Sequence, residues 1–411
     1  MSTQTNPEML FQAFEIPEHI RPIRDRVARF VDEVIIPHEA ELSHGGPPAR
    51  VLAKELEQRA KESGLWALGA PVAWGGGGLT PLEYAYVNEV VGRSPGAVQI
   101  LGTIPLHTTQ MIDKCATDEQ RQRFVLPATA GDIRLGFAMT EPEVASSDPT
   151  QLATHAELID GDWIVNGRKW FISAADRADY LITMVRTEAD DTPPHERFSM
   201  LFVPTSAAGL VVGEELVVLG LQTIISGHYE VTFENVRVSA ENLLGERGQG
   251  FALAQERLGW GRIYHCMRWL GAAQRAFDLM CLRANSRHSG GMPLADRQLV
   301  QQMVFDSYTE IQGARLMVLD VAAKLEHGSQ ERIAVSAIKV VVARMLHNVV
   351  DRAMQVHGAE GLSQRTPLEV MYREARYGRI VDGPDEVHIQ RVGRSILREY
   401  REGRDWDFGY R

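Results

Sequence analysis

One carboxylate, Asp382, sits where sequence alone would put a reactive group. In Gly378-Arg-Ile-Val-Asp-Gly-Pro-Asp-Glu-Val-His-Ile-Gln390 it follows an apolar pair and precedes a sharp helix start. Gly383 permits a tight backbone turn, Pro384 suits the first helical position, and Asp385 and Glu386 put negative charge where the helix dipole favours it. The spacing predicts a helix from about Pro384. Ile380 and Val381 predict that Asp382 emerges from a buried segment, and a partly desolvated carboxylate is what a general base needs. Read alone, the same residues also make a well-capped helix start, and such caps far outnumber catalytic bases.

Other chemistry is missing from the sequence. There is no HExxH, GxSxG, CxxC pair or Walker loop, and Gly248-Gln-Gly250 lacks the third glycine of a dinucleotide fingerprint. The Gly75 to Gly78 run has neither a strand before it nor Gly-Lys-Ser/Thr after it, so it reads as a flexible turn. Cys115, Cys266 and Cys281 are too far apart for a disulfide framework or a zinc spacing and read as small buried apolar residues; no metal site is expected. A net charge of −11 argues against a nucleic-acid partner. Met1 to Phe14 shows no basic leader or apolar core, and no segment is read as long enough to cross a membrane. The expectation is a cytoplasmic protein without stable membrane insertion.

The elements that must position Asp382 follow from periodicity. Ile20 to Val34 is helical in spacing and stops at Pro37, Arg50 to Ser63 ends at Gly64, and Thr80-Pro-Leu-Glu83 and Thr117-Asp-Glu-Gln120 are capping boxes. Residues 1–133 therefore read as an all-helical domain. Around Leu135 the period changes to two. Strands are predicted at Leu152 to Ile159, Trp163 to Val165, Lys169 to Ile172, Tyr180 to Arg186, Phe198 to Val203 and Tyr229 to Phe233, with Asp160-Gly-Asp162 and Asn166-Gly167 as hairpin turns. Residues 134–243 then form an antiparallel β-barrel or sandwich. Beyond Gly248 helical spacing returns: a stripe from Ala334 to Ala353 ends at Gly358, and a companion from Leu299 to Leu325 begins at Asp296 and ends at Gly328. Residues 244–411 read as a four-helix-bundle domain, which makes the whole an α+β fold.

A set of segments remains, in a fixed order. Ala138-Met-Thr-Glu-Pro-Glu-Val-Ala-Ser-Ser-Asp148, Asn166-Gly-Arg-Lys-Trp-Phe-Ile-Ser173, Gln355-Val-His-Gly358 and the Asp382 turn together resemble the FAD-dependent acyl-CoA dehydrogenase family over nearly the whole chain. The resemblance implies oxidation of an acyl-CoA thioester in fatty acid metabolism, with Asp382 removing the α-proton and the β-hydride passing to flavin N5. It makes Phe137, Met139 and Thr140 the flavin-contacting strand. Phe171 and Ser173 become the pair against the isoalloxazine. Arg287, Ser289, Gln355 and Gly358 serve the cofactor of a neighbouring subunit, and Glu386 joins the cofactor set. Ser146 lies near CoA, Arg262 lines the acyl cavity, and Gly383 sits beside the thioester, whose carbonyl the Asp382 backbone N–H helps to polarise. An electron-transfer flavoprotein is the implied electron acceptor, and a homotetramer or dimer the implied assembly.

This sequence also departs from the family pattern. The usual base is glutamate, and Asp382 withdraws the carboxylate by roughly one C–C bond, about 1.5 Å. The alternative base position is Gly261. Gly290 replaces an expected phenylalanine, and Glu143 and Ala145 replace glycines. A subgroup related to the larger fusion-type acyl-CoA dehydrogenases carries a similar Asp-Gly-Pro-Asp-Glu-Val-His segment, and the chain looks most like it. A nitroalkane-type flavin oxidase, which also uses aspartate, and a non-catalytic flavin- or CoA-binding scaffold are the alternatives.

Overall fold

Both predicted capping boxes form. Glu83 N donates to Thr80 Oγ1 at 3.3 Å and Thr80 N to Glu83 Oε2 at 2.9 Å, opening the helix Pro81–Val91; Thr117 and Gln120 reciprocate in the same way. The structure, a computed structural model, describes residues 15–220, 227–327 and 331–408, so the readings of Met1 to Phe14 and of Gly328 as a helix stop lie outside the described residues. Helices come first, then a sheet, then helices again, and the fold is α+β.

By compactness the chain forms two units. A helical unit takes the chain up to Val34, Leu79–Ser94 and Arg262–Arg411, and a sheet unit takes Ile35–Gly78 and Pro95–Gly261.

The sheet unit holds eight strands among its described residues: β1 Leu135–Ala138, β2 His155–Ile159, β3 Asp162–Ser173, β4 Tyr180–Arg186, β5 Phe198–Pro204, β6 Leu210–Glu215, β7 His228–Ser239 and β8 Leu243–Leu244. Their order is β6-β7-β3-β2-β4-β5-β8, with β1 on β4. The pairings are antiparallel except β1 and β2 on β4, which are parallel. Strands β4 and β5 are buried on both faces, so their alternation sends residues to two separate cores. Ile182, Met184, Phe198, Met200 and Phe202 join Met111 and Phe124 on one side. Leu181, Val185, Leu201 and Val203 join Trp163 and Val231 on the other. Phe124 stacks on Phe202 with centroids 3.8 Å apart.

Asp160 and Gly161 make the expected β2–β3 hairpin, with φ of 53° and 86°. Asn166-Gly167 does not turn. It lies inside the continuous strand β3 at a register shift against β7, where Asn166 Oδ1 accepts from Asn235 N at 2.8 Å. Gly167 has φ 143°, and a Cβ there would fall 2.7 Å from Thr154 Cα. The dipeptide serves a bulge and a close approach rather than a hairpin. Nor is the Gly75 to Gly78 run a loose turn: four backbone N–H bonds, to Val72, Pro71, Ala67 and Ala70, tie it down.

In the helical unit the Arg332–His357 helix buries Val335, Ile338, Val342, Met345, Leu346, Val349 and Val350. Those apolar residues pack among the helices Gln298–Glu326, Leu368–Gly378 and Asp385–Arg401. This corrects the reading that no segment reaches membrane-spanning length. Arg332–Leu362 is long and apolar enough, but 61% of its most apolar stretch is buried within the protein, as in the core helix of a bundle. Of the three cysteines, all free, only Cys266 is fully buried; Cys115 and Cys281 are half-buried.

Candidate functional site

In the sheet unit, a buried ion pair ties two of the sequence segments together. Lys169, on β3, has no exposed surface and donates to Glu141 Oε1 at 2.8 Å and Met139 O at 2.9 Å. Glu141 also accepts from Ala153 N at 2.7 Å and Thr154 N at 3.0 Å. Burial would raise the Glu141 carboxyl, but Lys169 and the backbone donors outweigh it and hold the group below its usual range, while burial pulls the Lys169 ammonium down to about 8. Next to this pair, Trp170 N donates to Thr140 O at 3.0 Å and Thr140 Oγ1 to Trp170 O at 2.6 Å. Met139, Thr140, Trp170 and Phe171 are thereby set side by side.

Phe171 falls at a second register shift in β3, between Lys169 and Ile172. Its φ is 53° and its ring is 45% exposed, edge-on to Trp170 with centroids 4.9 Å apart. A bulky residue in left-handed backbone with an exposed ring is a strained arrangement of the kind that functional sites hold. Ser173 Oγ lies 3.1 Å from His228 Nδ1, and burial lowers that imidazole's pKa. Ser146 Oγ accepts from Glu141 N at 3.0 Å and so braces the same segment. Phe137 faces a cation that sequence reading missed: the Arg257 guanidinium lies 4.0 Å from its ring centroid, and Arg257 Nε donates to Thr108 Oγ1.

In the helical unit, Asp382 has φ 53° and Gly383 φ 105°. Asp385–Arg401 is the helix that follows, and Pro384 is its N-cap rather than its first residue. The turn is held from outside. Arg262 Nε donates to Asp382 O at 2.8 Å, His388 Nε2 lies 3.2 Å from the same oxygen, and Lys339 Nζ donates to Gly383 O at 2.7 Å. A Cβ on Gly383 would come 2.8 Å from His388 Nε2, so glycine is required twice over. Because a carbonyl only accepts, His388 carries its proton on Nε2. Its Nδ1 is buried and has no hydrogen-bond partner among the described residues, and burial, reinforced by Arg262 and Lys339, pushes the imidazole down to about 4.

The Asp382 carboxylate is 19% exposed, and its Oδ2 lies 3.4 Å from His265 Nε2. Of the apolar pair before it, Ile380 does not supply this shielding, being 57% exposed. Asp385 is not merely a dipole charge: it is 1% exposed and accepts from Arg344 Nε and Arg379 Nε, each at 3.0 Å. Glu386 is exposed in the first turn of the helix.

Arg287 and Ser289 are exposed at the stem of a small hairpin, His288–Ser289 with Met292–Pro293, where Arg297 Nη2 donates to Ser289 O at 2.6 Å. Gln355 is exposed in the last turn of the Arg332–His357 helix, not in a loop, and Gly358 ends that helix at φ 64°. Arg283, just before the hairpin, pairs with Glu360, just after Gly358, at 2.9 Å, which ties the two stretches together.

Glu141, Lys169, Arg257, His265, Lys339, Asp385 and His388 were thus missed or misjudged from sequence. The one available signal was parity: Lys169 occupies an inward position of an alternating strand, where a charge has to find a partner.

Three family descriptions match consecutive stretches: the acyl-CoA dehydrogenase N-terminal domain over residues 17–132, the middle domain over 136–236 and the C-terminal domain over 248–397. Probable acyl-CoA dehydrogenase FadE2 of Mycobacterium tuberculosis is 42% identical over 391 residues, spanning 91% of this chain and 94% of its own length. The chain belongs to the acyl-CoA dehydrogenase family. Acyl-CoA dehydrogenase family member 10 of Mus musculus is 38% identical over 92% of the chain, which spans only 37% of that relative, and spans about half of several others. A solved Mycobacterium abscessus structure assigned as an acyl-CoA dehydrogenase superposes with a TM-score of 0.88 at 33% identity, covering 94% of this chain and all of that one. Acyl-CoA dehydrogenases are flavoprotein oxidoreductases, and the cofactor here is FAD. The residues present fit it: the β3 bulge offers an exposed aromatic face at Phe171, with the Thr140 and Ser173 hydroxyls on the same two braced segments.

Proposed function

We propose that the chain is an FAD-dependent acyl-CoA dehydrogenase whose base is Asp382, and that it shares this aspartate with the fusion-type subgroup. The observation that carries the reading is the Asp382 turn, a non-glycine residue at φ 53° whose carbonyl is gripped by Arg262 at 2.8 Å and His388 at 3.2 Å. Such backbone costs of order 1–3 kcal/mol and persists only where the surroundings over-determine it. Here the surroundings fix the backbone from which one carboxylate projects. Asp382 takes the α-proton of the thioester, and its backbone N–H helps to polarise the thioester carbonyl. Bound FAD supplies the two-electron oxidant for the β-carbon. Phe171 walls the flavin ring and Ser173 hydrogen-bonds near it. Ser146 lies near CoA, and Arg262 serves the acyl side through its hold on the turn. Arg287, Ser289, Gln355, Gly358 and Glu386 hold cofactor, the first four that of a neighbouring subunit, in a cytoplasmic dimer or tetramer that passes its electrons to an electron-transfer flavoprotein.

The test is Asp382→Asn followed by anaerobic titration with a panel of acyl-CoAs. FAD content should be unchanged and bleaching of the bound flavin should slow by about 10²–10⁴-fold, the range that general base catalysis supplies. Bleaching at the parental rate would place the base elsewhere.

A further inference from the structure

We propose that His265 is a positioning residue for Asp382, steering the carboxylate through its Nε2–H while Arg268 fixes that tautomer. The inference rests on the reading of Asp382 as the base. His265 and Arg268 are three apart on the Gly250–Ser286 helix and share a face. Arg268 Nη2 lies 3.1 Å from His265 Nδ1. A guanidinium has donors only, so Nδ1 is the acceptor and the imidazole proton sits on Nε2, the atom 3.4 Å from Asp382 Oδ2. A second proton on the ring would set Nδ1–H against the Arg268 N–H, so this geometry selects the Nε2–H tautomer as the donor toward the carboxylate. Trp269 stacks on it with centroids 5.3 Å apart and planes 26° apart, which fixes the ring plane.

One helix thus grips Asp382 at both ends. Arg262 holds the carbonyl and His265, three residues further on, faces the side chain. The second grip matters because the terminal torsion of an aspartate is broad and nothing in its backbone sets the carboxylate plane. A donor on Oδ2 turns the carboxylate so that its other oxygen meets the α-proton. At 3.4 Å the contact is long, as catalytic contacts often are before substrate tightens them.

Amide geometry makes a clean test. A glutamine at 265 can put an N–H where Nε2 now is, whereas an asparagine reaches only as far as Nδ1. Holoenzymes carrying His265→Gln, His265→Asn, His265→Leu and Asp382→Asn are compared by anaerobic single-turnover flavin bleaching with an acyl-CoA that reduces the parent. His265→Asn and His265→Leu should slow bleaching by roughly 10- to 10²-fold, the scale of a misplaced reacting group, with FAD content and substrate affinity unchanged. His265→Gln should stay within about threefold of the parent. A parental rate in His265→Asn, or a His265→Gln as slow as His265→Asn, overturns the inference. If Asp382→Asn is inactive while His265→Asn is not, this inference alone fails; if Asp382→Asn bleaches at the parental rate, the reading of the base fails and takes this one with it.

Discussion

Replacing Lys169 by methionine keeps the volume of its stem and deletes one charge from a site with no exposed surface at Lys169 and 2% at Glu141. Glu141 is then left with two backbone donors, Ala153 N at 2.7 Å and Thr154 N at 3.0 Å, and Met139 O loses its partner. Breaking a buried pair from one side typically costs 3–5 kcal/mol, because the remaining charge stays buried. With an unfolding entropy near 2.1 cal/mol/K per residue, or about 0.9 kcal/mol/K for a chain of this length, that is a fall of about 3–6 °C in the thermal midpoint. Acid should act through the same pair. The Glu141 carboxyl is depressed in the folded state, so its contribution is present above the ordinary carboxylate value of 4.5 and is lost as pH falls through the lower folded value. Without Lys169 the depression shrinks, and the difference between urea midpoints at pH 7 and pH 4 should shrink with it. Flavin content should also drop, since Trp170 and Phe171 follow Lys169 directly. A second change, Glu141→Gln, removes the stranded charge and should recover at least half of the loss. A Lys169→Met protein within about 1 °C of the parent, or a double variant no more stable than the single, would refute the pairing as an organiser of the sheet unit.

His388 has a folded pKa of about 4 against 6.5 for a free imidazole, so the unfolded chain takes up the proton first as pH falls. Stability should therefore decline from about pH 6.5 to pH 4 by on the order of 3 kcal/mol through this group, and His388→Gln, which keeps an N–H toward Asp382 O but cannot titrate, should flatten the slope of urea midpoint against pH. Gly167→Ala puts a Cβ 2.5 Å from Thr154 Oγ1 at φ 143° and should cost well over about 1 kcal/mol in a thermal melt; a neutral result would mean that the bulge relaxes freely. Arg287→Ala should leave helix content unchanged in circular dichroism while FAD washes out faster on gel filtration, and unchanged retention would remove the hairpin from the cofactor set.

What could be read from sequence was local. Asp160-Gly161 turns because both residues accept positive φ, and the Thr80 and Thr117 boxes close within three residues. Asn166-Gly167 has the same local chemistry yet runs straight through a strand, because Thr154 on one side and Asn235 on the other decide its conformation. Asp382 could be found, since Gly383 and Pro384 mark its turn. What grips it could not, since Arg262 lies 120 residues away in sequence. The partners of Asp385 were hidden for the same reason: Arg344 is 41 residues away, and a carboxylate in a first helical turn looks identical whether it faces water or is buried against two arginines.

Positions 171 and 382 share a backbone setting, φ 53° in each, that a stability-driven redesign would correct first. Glycine there removes the left-handed penalty, a gain of order 1 kcal/mol, and removes with it either the exposed ring or the carboxylate. With Asp382 as the base and Phe171 as the flavin wall, as proposed above, screens that rank variants by melting temperature would enrich for inactive proteins at these two sites. On that proposal a copy of this gene released from its task would be free to drift the same way, and glycine at either position would mark a retired paralogue.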